Sequence, residues 1–214
     1  LYADQKGLPA IDYLVYVNEE LSSVEISYLQ LVIDEMQDRI TIVKDTWINS
    51  YRATFIENIG TDNGSGLSIM LNAYIKYYEK DFRDGKLGFP LGIRNFDNQL
   101  PLTAEAYYSN ISHSLMKESV ADLKTAFYGK GDDLGINNLL TSGGSNILNK
   151  IETQWTNIQL ETNNINTPIE EYVLTNQGNG KDTYSEIQEL LVLLKIDLMS
   201  CLDMKISYVD TDGD

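Results

Sequence analysis

Residues 22–55 read SSVEISYLQLVIDEMQDRITIVKDTWINSYRATF. Within this stretch Val24, Tyr28, Leu31, Met36, Ile40, Val43, Trp47, Tyr51 and Phe55 recur, mostly at steps of three to five residues. Apolar residues at that period line one face of an α-helix, so the spacing predicts one long amphipathic helix of roughly nine turns. Ser22 and Glu25 stand ahead of it as a capping box, in which the serine hydroxyl and the glutamate carboxylate satisfy the first free amides.

The same reading extends outward in both directions. Before the long helix, Gly7-Leu8-Pro9-Ala10-Ile11-Asp12-Tyr13-Leu14 enters a short apolar helix, with Pro9 at a first turn where its missing N–H is harmless. After it, Gly60 to Gly66 is a loop, and Leu67, Met70, Leu71, Tyr74, Ile75, Tyr78 and Phe82 mark a second helix. Asp84-Gly85, Gly88, Pro90, Gly92 and Pro101 predict a long ordered loop over 84–101. A helix is expected over 102–128, a break at Gly129 to Asp133, and a short helical turn at Ile136 to Leu140. Another break falls at Gly143-Gly144, and a helix carries Ile147 through Ile158. Thr167-Pro168 reads as a helix start and Gln177 to Lys181 as a polar loop. Thr183 and Glu186 read as a second capping box opening a helix through Leu202. Only Lys205 to Val209 carries any strand signal. The expected fold class is therefore all-α, a helical bundle of two bundle-like halves. The first half is 1–83, the ordered connecting loop 84–101, and the second half 102–214. Val43-Lys44-Asp45-Thr46-Trp47 and Ile151-Glu152-Thr153-Gln154-Trp155 echo one another weakly, one in each half.

Composition excludes several function classes. The 32 acidic residues outnumber the 16 Lys and Arg, for a net charge of -16. Such a surface repels phosphate backbones and anionic lipid, so no nucleic acid partner is expected. No apolar run is long enough for a transmembrane span. The single Cys201 cannot pair within the chain, and the single His113 excludes an all-histidine metal site. No nucleophile elbow, Cys–His pair or zinc-protease helix motif is present. Glu105, Ser109 and Ser112 share one face if 102–128 is helical, and they then make either a polar pocket lining or a solvated face. Asp210, Asp212 and Asp214 alternate with Thr211 and Gly213 like the opening of a calcium loop. Without the glutamate that closes such a loop they are weak metal candidates, against the alternative of a solvated acidic tail. The sequence starts at Leu1 and is read as a processed or trimmed piece of a longer chain.

Four segments together resemble the imelysin-like family, whose members are also known as insulin-cleaving membrane protease homologues. They are Lys6 to Leu14, Lys86-Leu87-Gly88-Phe89-Pro90-Leu91-Gly92, Glu105-Ala106-Tyr107-Tyr108-Ser109-Asn110-Ile111-Ser112, and Leu194 to Asp197 running on through Ser207 to Asp214. The resemblance implies two helical halves with a functional site where they meet. It also implies a periplasmic or cell-surface location with a lipid anchor in the precursor, and a connection with iron uptake. The family's Gly-x-His-x-x-Glu motif falls on Gly7, Pro9 and Asp12, so proline stands in the histidine position and cannot ligate a metal. The resemblance puts Asp12, Lys86, Glu105, Tyr108 and Ser109 at a ligand-binding site, with Lys86 orienting or neutralising the two carboxylates. Iron or another divalent metal is the cofactor class it points to, and a small ligand, a metal or an envelope uptake partner is the partner class. Three functions stand at this stage: an envelope binding protein for iron or haem uptake, a metallopeptidase, and a surface interaction module without a small ligand. Asp12 and Glu105 are expected to converge from the starts of two apolar helices.

Overall fold

A computed structural model describes residues 6–17, 19–140 and 144–209. It is all-α, 74% helical in seven helices, with no strand among the described residues. Helix α1 is Gly7–Val17. Helix α2 runs unbroken over 23–57, as α-helix Ser23–Thr46, a wider π-helical turn Trp47–Tyr51, and α-helix Arg52–Glu57. Its capping box is present: the Ser22 hydroxyl accepts from the Glu25 amide, and the Ser22 amide donates to the Glu25 carboxylate at 2.8 Å. Helix α3 spans 66–91, α4 is Ser112–Tyr128, α5 is Ser145–Asn163, α6 is Ile169–Thr175, and α7 spans 177–201.

Three expectations are corrected. The loop expected over 84–101 begins only after Leu91. Helix α3 continues through Asp84, Gly85 and Gly88 as a π-helical stretch, Tyr78–Gly88, and ends in Phe89–Leu91. Tertiary packing overrides the poor helix propensity there: a Cβ on Gly88 would lie 2.9 Å from the Tyr184 ring, so the glycine lets α7 approach. The helix expected from 102 starts instead at Ser112, because Ala106 (φ 52°) and Asn110 (φ 58°) take left-handed backbone angles that no helix accommodates. Gln177 to Lys181 is the opening of α7, not a loop, and Thr183 lies inside that helix, donating to the Asn179 carbonyl at 2.9 Å rather than capping. The Lys205 to Val209 segment pairs with no strand. The Asn72 side chain grips it instead, donating to Lys205 O at 3.1 Å and accepting from the Ser207 amide at 2.7 Å.

Helices α3, α4, α5, α6 and α7 enclose one apolar core, which includes Leu71, Ile75, Phe82, Phe127, Ile151, Trp155, Ile187 and Leu194. The weak sequence echo does not extend to environment: Trp155 is fully buried against Tyr78, whereas Trp47 is 40% exposed. Helix α1 packs on the first half of α2 through Ala10, Leu14 and Val32. This pair stands outside the main core cluster.

A charged cluster lies inside the core. Arg83 is buried beside Asp84 (3.0 Å) and Glu79 (3.9 Å), and it also donates to Gln188. Asp84 accepts from Tyr184 at 2.8 Å and pairs with Arg94 at 3.4 Å. Glu79 pairs with Lys195 at 3.4 Å and accepts from Tyr208 at 2.7 Å. Arg83→Met should therefore lower stability by about 3–5 kcal/mol, because it removes the buried cation that lies beside both carboxylates. Urea unfolding measures this, and a loss under about 1 kcal/mol would show that the cluster is not a keystone.

Burial raises the pKa of Tyr74, Tyr78, Tyr172 and Tyr184 above the ordinary tyrosine value, and pushes that of Tyr128 up to about 12. A group whose proton is held more tightly in the folded state adds stability that is complete below its unfolded pKa. That stability is lost as pH rises towards the folded value. Stability should thus fall above about pH 10, the ordinary tyrosine value. Absorbance at the tyrosinate band should show these side chains ionising together with unfolding rather than before it.

Candidate functional site

The segment between α3 and α4 is built from consecutive tight turns. Gly92 ends α3 with φ 77°, and a Cβ there would fall 2.1 Å from Asn98 O, so the chain can double back only at a glycine. Asn98 donates to Asn95 O at 3.0 Å, and the Leu100 amide returns to Pro90 O at 2.9 Å. Pro101–Thr103 adds a single 3₁₀ turn, and Ala104 is buried beneath the segment. The turns over 105–110 follow, with Ala106 and Asn110 in the left-handed region. For an alanine that conformation costs about 1–2 kcal/mol, so something must hold it.

Asp12 supplies part of the hold. From the middle of α1, its two carboxylate oxygens accept the Tyr108 amide at 2.9 Å and the Ser109 amide at 3.1 Å. Successive backbone N–H groups converging on one anion form a nest, and hydrogen bonds to a charged acceptor are among the stronger ones. Ser109 closes the turn by donating to Ala106 O at 3.2 Å. Next to this, Tyr13 meets the Tyr108 ring edge to face at 5.1 Å, and Tyr107 meets it at 5.2 Å. On the core side, the buried Lys86 of α3 pairs with Glu105, which is half exposed.

The structure therefore places all five anticipated residues on or against one turn. Asp12, Tyr108 and Ser109 make one contact group and Lys86 with Glu105 another. The expected helix-start positions do not hold. Asp12 lies mid-helix, Glu105 sits in a turn before α4, and Glu105, Ser109 and Ser112 share no helical face. Asp210, Asp212 and Asp214 lie outside the described residues. A groove of about 570 Å³ opens elsewhere, between α5 and α7, lined by Asn149, Gln154, Gln188 and Leu193.

Sequence reasoning missed two residues beside the turn. Tyr13 lies next to Asp12 on α1, and only its position in the motif segment could have singled it out. Glu170 is buried at the start of α6, accepts from Ser112 at 2.6 Å, and keeps its second oxygen without a hydrogen-bond partner. Ser112 in turn accepts the Ile169 amide at 2.8 Å, so the pair ties the starts of α4 and α6 together. His113 contacts Ser114 through Nε2, while its Nδ1 is buried without a partner.

A model of the imelysin family (peptidase M75) matches residues 2–195. The chain belongs to the imelysin family. No curated protein and no solved structure matches it. Within the segment that resembles the family motif, Pro9 stands in the histidine position and Asp12 accepts from the backbone of a distant turn. Among the described residues no group of three or more His, Cys, Asp or Glu side chains is arranged to hold a metal ion. No described helix is long and apolar enough to cross a membrane.

If Asp12 is the clamp, Asp12→Ala should cost about 1.5–3 kcal/mol of local stability. Hydrogen exchange at the Tyr108 and Ser109 amides should accelerate while amides in α5 and α7 keep their protection. Unchanged exchange at those two amides would remove Asp12 from this role.

Proposed function

We propose that this imelysin chain is a non-peptidase binding protein of the cell envelope that serves iron or haem acquisition, with its ligand seated on the turn held by Asp12. The observation that carries the reading is the Asp12 carboxylate itself, with both oxygens engaged by the Tyr108 and Ser109 amides. An aspartate so engaged shapes a surface, whereas a catalytic metal needs about three side-chain ligands and an open position. The surface it shapes is aromatic: Tyr13 and Tyr108 are 47% and 39% exposed and stand edge to face. Tyrosine is an established axial ligand for ferric haem, and exposed rings offer flat apolar contact to a porphyrin. Lys86 and Glu105 sit at the base of the turn, where they fix its height above the core and leave the glutamate partly open to solvent.

Titration of the purified chain with ferric haem, followed at the Soret band, tests this. Saturable binding is expected, weakened about tenfold or more in Tyr108→Phe or Tyr13→Phe if either supplies the axial oxygen. The same preparation should leave insulin chain and casein intact. Absence of any haem or ferric iron binding would overturn the binding reading. Chelator-sensitive cleavage that is lost in Asp12→Ala would restore the peptidase.

A further inference from the structure

The groove of about 570 Å³ between α5 and α7 is walled by two helices of the main core. Val192 and Leu193 make its lining largely apolar, and its volume suits a drug-sized molecule. Two glutamines line it, Gln154 from α5 and Gln188 from α7, and each is fixed from behind. The Gln188 carbonyl accepts from the buried Arg83. A guanidinium carries donors only, so the Gln188 amide cannot turn round, and its NH₂ group is the end left for the groove. Gln154 is only 6% exposed. Its NH₂ group donates to the Glu186 carbonyl at 2.8 Å and to the Glu186 carboxylate at 2.6 Å. Both of those groups only accept, so this amide is fixed as well, in the opposite sense. Its carbonyl oxygen accepts from no described residue and is not among the sealed polar atoms without a partner, so it borders the groove that the side chain lines.

The groove thus offers one oriented donor and one oriented acceptor between carbon walls. The bonds behind them also polarise both amides. Arg83 draws on the Gln188 carbonyl and sharpens its N–H groups, and the Glu186 carboxylate enriches the Gln154 carbonyl in the same way. Charge is not what this surface reads. Lys150 at its edge is engaged by Asp197 at 3.9 Å, and Glu189 lines the groove on a chain of net charge -16, which turns anions away. A fixed donor and a fixed acceptor in an apolar setting are the complement of a neutral secondary amide. Its C=O takes the Gln188 N–H, and its N–H meets Gln154 Oε1.

We propose that the α5–α7 groove is a binding site for a small, uncharged, apolar molecule that carries a secondary amide or lactam. Gln188 and Gln154 recognise the amide, and Val192 and Leu193 pack against the apolar part. The site shares no residue with the turn held by Asp12, so the two are tested separately.

A matched pair of probes tests this: N-benzylhexanamide and its ester twin, benzyl hexanoate, which keeps the carbonyl and lacks the N–H. Titrated into the nitrogen-labelled full chain and followed by NMR, the amide should bind saturably and move the side-chain NH₂ resonances of Gln188. The ester should bind about tenfold more weakly, because it leaves Gln154 Oε1 without a donor. Gln188→Glu keeps an acceptor for Arg83 and removes the donor from the groove, so it should weaken the amide about tenfold at unchanged helix content. Val192→Trp, at a position 43% exposed, fills the groove without touching either glutamine and should abolish binding, which keeps the test valid if Gln188→Glu disturbs the Arg83 cluster. Equal binding of amide and ester, full affinity in Val192→Trp or in a folded Gln188→Glu, or no saturable binding of the amide up to its solubility limit would each overturn the proposal.

Discussion

Everything on the core side of the turn depends on how Arg83 is buried. A guanidinium withdrawn from water is tolerable only where carboxylates and polar oxygens surround it, and Glu79, Asp84 and Gln188 do so. The π-helical form of α3 makes this possible. Its wider turn brings Glu79, Arg83 and Asp84 to the same inward side, although Arg83 and Asp84 are neighbours in sequence. Lys195, from a second π-helical stretch, Leu193–Leu198 within α7, then pairs with Glu79, and Tyr208 fixes the chain after α7 to the same carboxylate. One charge cluster thus sets the register of α3 against α7 and fastens the C-terminal segment. An apolar core alone would leave that register free to slide by a turn.

The site is a consequence of that register. Lys86 rides on the same π-helical stretch two residues after Asp84, so the geometry that buries Arg83 also aims Lys86 at Glu105. Asp84 reaches Arg94 just beyond the Gly92 turn, which anchors the start of the connecting segment. The 105–110 turns are therefore held from the core by Lys86 and from the α1–α2 pair by Asp12. Two left-handed backbone positions in one short segment are sustained because both sides constrain it. That is how strain comes to be localised at a solvent-facing turn.

The legible parts of the chain were those whose local and tertiary preferences agree. α2 shows its period, its cap and its length, so its spacing and Ser22-Glu25 were sufficient to read it. The end of α3 was not legible, because Asp84-Gly85 and Gly88-Phe89-Pro90 carry every local signal of a loop. What keeps them helical is a salt-bridged interior and the approach of Tyr184, neither of which leaves a periodic trace. The opening of α7 failed for the same reason, with Gly180 packed against Leu91. The residues on and against the 105–110 turn were singled out through the family resemblance rather than through periodicity. The role of Asp12 could not be read from sequence, since its partners are backbone amides 96 and 97 positions away and backbone groups have no residue identity. Glu170 was invisible on the same ground: one glutamate in a polar first turn looks like an ordinary helix-dipole partner until its burial is known.

The π turn in α2 bears on the same question of register. In a continuous α-helix a four-residue step overshoots one revolution, so a seam with repeated four-residue steps winds away from its partner. Val43 to Trp47, Trp47 to Tyr51 and Tyr51 to Phe55 are three such steps in succession. The π-helical turn falls on the middle one, Trp47–Tyr51, where more residues per revolution turn the overshoot into a slight undershoot. The seam therefore stays on one side of α2 through its second half, over a length that local helix propensity alone does not require. The correction keeps the rings of Trp47, Tyr51 and Phe55 in contact along one face, where an uninterrupted α-helix would spread them around its circumference.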